Sequence, residues 1–208
     1  VFVYAHVPFC HRRCAYCNLF SMTRPDASLM TEYVSRMREQ ALRVRDALGG
    51  FSVASLAIGG GTPTLLNGDD FETLLKIIVD DLNCVPGEAP FSVEIAPGTA
   101  DRRKFELMRW AGVDRISMGV QTFMEKEATL LGRGQSLASV DDAVQGAREA
   151  GCPILNLDLM YGIPGQTMES WLESLVRACR YKPEEIYLYP LYTRPLTMLE
   201  RRKREGGD

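Results

Sequence analysis

Six short apolar segments alternate with longer segments in which apolar residues recur at helical spacing. The short segments are rich in β-branched residues and predict strands, whereas the longer ones predict amphipathic helices. The predicted strands span residues 2–7, 53–58, 91–95, 115–120, 154–160 and 185–191. The predicted helices span residues 28–48, 69–82, 101–111, 137–150 and 168–179.

Residues typical of helix starts support three of these helices. Asp101, either Ser136 or Ser139, and Thr167 each stand just before an amphipathic run, where a side-chain oxygen can accept the first free backbone N–H groups.

Strands that alternate with crossover helices predict an α/β fold with a parallel sheet. The strand segments look apolar on both faces, which indicates a sheet covered on both sides. A closed eight-unit barrel needs about 250 residues, so six units in 208 residues favour an open parallel (β/α)6 three-quarter barrel. A doubly wound, flavodoxin-like sheet is the alternative.

Composition is that of an ordinary globular protein. The 46% apolar content suffices for one sizeable core, so we expect residues 1–208 to form one domain. The net charge of −3 and the lack of a long apolar run favour a cytoplasmic protein without nucleic-acid or membrane partners. The chain starts abruptly in a strand and ends in what resembles an interrupted helix, Arg201 to Asp208, so we expect a piece of a longer protein.

Cysteine spacing gives the clearest chemical signal. Cys10, Cys14 and Cys17 lie within eight residues, and thiolates are the usual ligands of iron–sulfur clusters. Three ligands leave one iron of a [4Fe–4S] cluster open, as a catalytic metal site requires. The alternative is a zinc site completed by His6 or His11. We expect the remaining cysteines to be buried or semi-buried thiols: Cys84, Cys152 and Cys179.

Aromatic residues interleave the three closely spaced cysteines. Phe9, Tyr16 and Phe20 are expected to shield a cluster from water.

Polar residues and glycines follow the predicted strands at the edge where parallel α/β folds collect their chemistry. Gly60, Gly61 and Thr62 follow the second strand and would let the backbone approach a ligand, although a tight turn explains them equally well. The other candidates end later strands or lie in a loop, namely Glu94, Gln121, Asp158 and Arg133.

Each of these candidates has a simpler reading. Glu94 on an apolar strand needs a partner, either a ligand or an ion pair with Arg115. Gln121 and Asp158 carry the same ambiguity, and Arg133 is either a solvated loop residue or a clamp for a carboxylate.

The motifs resemble the oxygen-independent coproporphyrinogen III oxidase group of radical S-adenosylmethionine (SAM) proteins. The resemblance covers nearly the whole chain through segments 4–17, 59–64, 117–121 and 158–167. It implies a [4Fe–4S] cluster on Cys10, Cys14 and Cys17, whose open iron chelates SAM and cleaves it to methionine and a 5′-deoxyadenosyl radical. It further implies an electron donor such as flavodoxin or ferredoxin, and an unknown small-molecule substrate for which a tetrapyrrole is a candidate.

The same resemblance assigns roles in SAM binding. Gly60, Gly61 and Thr62 match positions that bind the methionine part of SAM, and Tyr4 matches a tyrosine beside the cofactor. The remaining matches contact polar groups of SAM: Glu94, Gln121, Arg133 and Asp158.

The sequence departs from the true oxidases after the third cysteine. The oxidases have a further cysteine there, in a C-x-C pattern, whereas Cys17 is followed by Asn18, Leu19 and Phe20. This resembles the haem-chaperone branch and methyltransferase-like relatives, which makes a haem chaperone, with His6 or His11 as haem ligand, the alternative to an enzyme. The family's C-terminal substrate domain is expected to be absent.

Overall fold

A computed structural model describes residues 1–205 and contains one six-stranded parallel sheet. A second, two-stranded pairing closes the loop that carries the cysteines. The strands are β1 (Phe2–Val7), β2 (Phe9–Cys10), β3 (Met22–Thr23), β4 (Ser55–Gly60), β5 (Phe91–Ile95), β6 (Arg115–Gln121), β7 (Ile154–Tyr161) and β8 (Glu185–Pro190).

The five predicted helices are present, and the segment predicted as an interrupted helix, Arg201 to Asp208, begins inside a further short helix. One helix of six residues was not predicted, because so short a segment shows too little periodicity. Within residues 1–205, none of the helices is long and apolar enough to cross a bilayer. The helices are α1 (Ala27–Leu48), α2 (Gly68–Lys76), α3 (Arg102–Trp110), α4 (Glu125–Leu130), α5 (Leu137–Glu149), α6 (Met168–Arg180) and α7 (Met198–Arg204). The last residues of the segment predicted as an interrupted helix, 206–208, lie outside the described residues.

Helix boundaries follow the expected capping chemistry. The side chain of Asp101 accepts the backbone N–H of Lys104 at 2.9 Å. Ser136 is the N-cap of α5, and it forms a reciprocal pair of bonds with Ser139. Both serines therefore cap the start of α5, whereas the sequence had left open which of the two would do so.

The strand order decides between the two predicted architectures. The sheet runs β1-β4-β5-β6-β7-β8, so that each strand lies beside its predecessor in the chain. A doubly wound sheet needs a point where the order reverses, and none occurs among the described strands. The open, partial parallel barrel is confirmed, and the flavodoxin-like alternative is wrong.

The prediction that both sheet faces are apolar is wrong. One row of the ladder, Ala5–Ile58–Val93–Ile116–Leu155, lies on the convex face, where the last four side chains are buried under the helices. The neighbouring row on the concave face carries Glu94, Ser117, Asn156 and Glu185. The concave side is thus a polar surface suited to a ligand.

The edge strand β8 lacks the cover that the central strands have. Leu159 on β7 and Leu188 on β8 are partners in the ladder and share a face, yet Leu159 is fully buried and Leu188 is 47% exposed. Within the described part of the chain, the buried apolar face of the sheet therefore ends at β7.

We predict that Leu159→Ala lowers the free energy of unfolding by about 2–5 kcal/mol because it removes buried apolar contacts and leaves a cavity. Leu188→Ala is the matched control and should cost about 0.5 kcal/mol or less, as exposed substitutions do. Urea unfolding of both variants measures the difference. Equal losses would show that the outer face of β8 is covered in solution.

Candidate functional site

The three closely spaced cysteines lie on one loop that is closed at its base. Cys10 ends β2, which pairs with β3, and the N–H of Arg24 donates to the carbonyl of Cys10 at 3.1 Å. A turn joins the other two, since the N–H of Cys17 donates to the carbonyl of Cys14 at 3.0 Å. All three thiols are free and half-buried. We call residues 10–24 the cysteine loop.

The middle of the cysteine loop is fixed from two sides. Ala15 is fully buried between Cys14 and Cys17. Its N–H donates to the carbonyl of Leu131 at 2.8 Å, and its carbonyl accepts the N–H of Leu199 at 3.0 Å. These contacts tie the loop to the segment after α4 and to the start of α7.

Two polar side chains approach the thiols from neighbouring elements. Thr62 Oγ1 lies 3.9 Å from Cys10 Sγ, and Arg133 Nη1 lies 3.6 Å from Cys14 Sγ. Burial raises the pKa of the Cys10 thiol, and the neighbouring Cys14 and Cys17 raise it further, against the lowering effects of Thr62 and Arg133. Burial also raises the pKa of Cys17. Without a metal, these two thiols hold their protons to higher pH than usual.

The spacing of the thiols bears on the kind of metal site. Within residues 1–205, no three His, Cys, Asp or Glu side chains converge closely enough to hold one metal ion. A single zinc, with Zn–S bonds of about 2.3 Å, requires such convergence.

The glycine loop after β4 passes close to the cysteine loop. The N–H groups of Gly61 and Thr62 donate to the carbonyls of Val7 and Phe9, each at 2.7 Å. A Cβ added at Gly61 would stand 2.6 Å from the Phe9 carbonyl oxygen and 2.9 Å from Cys10 Sγ. Gly60 has φ +113°, a left-handed conformation that strains other residues. The glycines are therefore needed for close backbone approach, and the simple-turn reading is insufficient.

Glu94 faces the glycine loop and forms no salt bridge with an arginine within residues 1–205. Its carboxylate accepts the N–H of Gly60 at 3.1 Å, whereas Arg115 pairs with Glu185 at 2.8 Å. The alternative reading of Glu94 as an ion-pair partner of Arg115 is thus wrong. Burial raises the pKa of the Glu94 carboxyl, and the nearby Asp158 adds to this shift.

Gln121 lies on a bulge at the end of β6. The register between β6 and β7 shifts between Gly119 and Gln121, and Gln121 has φ +69°. Such bulges redirect a side chain at the edge of a sheet. Arg133 donates to the carbonyl of Gly119, and Gln135 donates to that of Val120. These contacts therefore hold Arg133 in the site. The alternative that Arg133 is a solvated loop residue is wrong.

The side-chain carbonyl of Gln121 is buried without a hydrogen-bond donor. Buried acceptors are almost always paired in folded proteins. This unpartnered oxygen indicates a place for a donor from outside the chain.

Asp158 sits in a network on the concave face of β7. It accepts from Asn156 Nδ2 at 2.6 Å and from Ser117 Oγ at 3.2 Å. Burial raises the pKa of the Asp158 carboxyl despite these bonds and the nearby Arg115 and Arg133. The folded chain therefore binds this proton more tightly than the unfolded chain, and stability decreases as pH rises through the raised pKa.

Tyr4 and His6 complete the site on β1. The Tyr4 hydroxyl lies 3.3 Å from His6 Nδ1, and His6 Nε2 lies 3.1 Å from the carbonyl of Phe20. Both ring nitrogens of His6 thus have partners, whereas His11 is exposed.

The aromatic and cysteine predictions were only partly right. Phe9 is buried, but it packs edge-on against Tyr33 at 5.2 Å, and Phe20 is 79% exposed. Cys84 is buried and Cys152 half-buried as predicted, while Cys179 is exposed.

Lys104 on α3 is a supporting residue that sequence reasoning missed. It is buried, and its ammonium donates to the carbonyls of Thr64 at 2.7 Å and Thr99 at 2.9 Å, which joins the loops after β4 and β5. Desolvation lowers the pKa of Lys104. Its place in the buried stripe with Phe105 and Met108 is the signal that would have revealed it.

The structure brings all eleven predicted site residues to one end of the barrel and its concave face. The thiols, the glycine loop and Arg133 are joined by direct contacts, and Glu94 joins them through Gly60. Asp158 and Tyr4 stand on flanking strands.

The chain is similar in sequence to several known proteins. The profile of the Radical SAM superfamily matches residues 4–178. The heme chaperone HemW of Haemophilus influenzae is 32% identical over 94% of this chain and 52% of its own length. The oxygen-independent coproporphyrinogen III oxidase of Escherichia coli is 29% identical over 99% of this chain and 45% of its own.

The fold of the chain is also similar to that of a solved relative. The solved structure of coproporphyrinogen III oxidase (HemN) from Escherichia coli superposes with a TM-score of 0.87 and 29% identity, over 97% of this chain and 46% of that one. The chain spans about half the length of the relatives it matches.

We predict that Asp158→Asn flattens the pH dependence of the unfolding free energy of the ligand-free chain. The loss of stability in the native chain should begin above the unfolded pKa of about 3.9 and continue through the raised folded value. The exposed Asp142→Asn on α5 is the control and should leave the profile unchanged. Urea unfolding at a series of pH values measures both, and identical profiles for native chain and Asp158→Asn would contradict the assignment.

Proposed function

Because this chain belongs to the radical SAM superfamily, whose cofactors are a [4Fe–4S] cluster and SAM, we propose that the site described above binds both and cleaves SAM reductively. The observation that carries the proposal is the fixed trio of thiols beside a glycine loop and an unpartnered glutamine carbonyl.

The residues present fit these cofactors. The donor set of Cys10, Cys14 and Cys17 suits an iron–sulfur cluster with one iron open. The free carbonyl of Gln121 suits an amine or hydroxyl donor such as those of SAM. An added side chain at Gly61 would meet the carbonyl of Phe9 and the sulfur of Cys10, so this glycine lets the glycine loop pack directly against the proposed ligand Cys10.

When bound, the cluster supplies the single electron that splits SAM into methionine and a 5′-deoxyadenosyl radical. The chain provides the binding surface for this chemistry. Gly60, Gly61 and Thr62 would bind the methionine part of SAM. Polar groups of SAM would be held by Glu94, Gln121, Arg133, Asp158 and Tyr4.

Charge explains how the two carboxyl groups contribute. Glu94 and Asp158 have raised pKa values because burial disfavours their ionised forms. The sulfonium group of SAM favours the ionised carboxylates, so cofactor binding would offset this cost. The helices cover the convex face of the sheet and exclude water there. The concave face stays open and is available to the substrate.

The substrate is proposed as an unknown small molecule, with a tetrapyrrole as candidate class. This rests on the similarity to coproporphyrinogen oxidases and haem chaperones. Since the chain spans about half of these relatives, the activity of the whole protein is inferred by analogy with them.

A haem chaperone that keeps cluster and SAM is the second candidate. The segment after Cys17, Asn18-Leu19-Phe20, lacks the further cysteine of the oxidases, and HemW proteins are among the similar relatives. His6 already has partners on both ring nitrogens, so the exposed His11 is the more available haem ligand.

Anaerobic reconstitution of the native chain should give about four irons per chain and, after reduction, 5′-deoxyadenosine from SAM. Cys14→Ala should lose both, because two thiolates hold a cluster poorly. Cys179→Ala, which removes an exposed thiol on α6, is the matched control and should retain both. Iron analysis and chromatography measure the outcome, and SAM cleavage by Cys14→Ala would disprove the ligand assignment.

Haem titration separates the two candidates. An enzyme of the proposed kind should show SAM cleavage without a stable Soret band after gel filtration. A stoichiometric Soret band that His11→Ala abolishes would instead support the chaperone, and His6→Ala serves as the comparison variant.

A further inference from the structure

We propose that the exposed basic surface around the cysteine loop is the docking site for a small acidic one-electron carrier protein. This surface, which we call the basic collar, consists of Arg12, Arg13, Arg24, Arg201 and Lys203. The inference rests on the proposed function, since it requires that the cysteine loop holds the cluster.

All charged side chains of the cysteine loop are positive and exposed. Arg12, Arg13 and Arg24 project from the loop, and the sequence between Cys10 and Arg24 contains no Asp or Glu. Within residues 1–205, none of the salt bridges involves these three arginines. Their charges are therefore available to a partner.

Two of these arginines stand directly beside a predicted cluster ligand. Arg12, Arg24 and Cys14 line one cavity of about 570 Å³, and no carboxylate contributes to its lining. A negatively charged group that approaches this opening thus meets positive charge next to the thiol.

The helix α7 extends the basic surface. Leu199 at its start bonds to Ala15 in the cysteine loop, and Arg202 donates to the carbonyl of Leu130 at 3.5 Å. Arg201 and Lys203 on this helix are exposed. The helix therefore places further positive charge beside the loop.

The charge distribution of the chain is strongly uneven. Residues 10–24 and 194–205 together carry eight basic and two acidic side chains, although the whole chain has a net charge of −3. Such a local field on an otherwise acidic protein attracts an acidic partner to one place and repels it from the rest of the surface.

The position of the basic collar beside the thiols indicates that its partner is an electron carrier. It lies on and next to the loop that carries the half-buried thiols, and electron transfer requires a short path. Leu19 is 50% exposed, and its carbonyl accepts from Arg13 at 3.3 Å, which provides an apolar contact among the charges. Complexes of redox proteins use such small, transient interfaces.

The test is the rate at which the cluster of the reconstituted chain is reduced by flavodoxin hydroquinone, followed by the loss of its visible absorbance. Arg12→Glu/Arg24→Glu should slow this reduction by at least about tenfold at low salt, and added salt should slow the native reaction, because both remove electrostatic attraction. Reduction by photoreduced 5-deazariboflavin, which needs no docking, should stay within about twofold of the native rate.

Two further variants make the result specific. Arg201→Glu/Lys203→Glu should also slow the reduction of the cluster by flavodoxin, and it leaves the cysteine loop unchanged. This variant keeps the test valid if Arg12→Glu/Arg24→Glu fails to bind a cluster. Arg43→Glu/Arg109→Glu makes the same change in net charge on exposed parts of α1 and α3 and should keep the native rate.

Equal flavodoxin rates in the native chain and both collar variants, or a rate independent of salt, would overturn the docking surface. Equal slowing by Arg43→Glu/Arg109→Glu would overturn it too, since net charge alone would then explain the effect. A native chain that binds no iron would instead refute the proposed function, and the two failures are thus distinguishable.

Discussion

The structure depends on holding three thiols at fixed positions on a short loop. The pairing of β2 with β3 closes the loop at its base, and the backbone bonds of buried Ala15 to Leu131 and Leu199 fix its middle. These contacts join the cysteine loop to segments far away in sequence. The three proposed cluster ligands are therefore positioned by the folded barrel and not by their spacing alone.

The parallel sheet supplies the rest of the site through register. The carboxyl ends of the strands meet at one edge, where the glycine loop, the bulge at Gln121 and the carboxyl of Asp158 lie. The concave face adds a polar row in which burial raises the pKa of two carboxyl groups. The proposed sulfonium cofactor would stabilise the ionised forms of both carboxyl groups.

Much of the fold and of the candidate site was predictable from the sequence, at positions where the residue type allows only one physical explanation. The strand Phe91–Ile95 was predicted with its correct bounds. Cys14, Cys17 and Gly61 lie in loops as predicted, whereas Cys10 ends β2 and Gly60 ends β4. The polar concave face was missed, although Asn156 and Asp158 already show the spacing of two that places side chains on one face of a strand. The spacing of Lys104 from Met108 marks it as inward-facing, but its carbonyl partners Thr64 and Thr99 are brought close only by the fold.

The central claim is that the trio of thiols leaves one iron open for SAM. The most direct measurement is electron–nuclear double resonance of the reduced, reconstituted chain with SAM labelled by 15N at its amino group and 17O at its carboxylate. The account predicts hyperfine coupling from both labels to the cluster. A reduced cluster whose spectrum is the same with and without labelled SAM would contradict it.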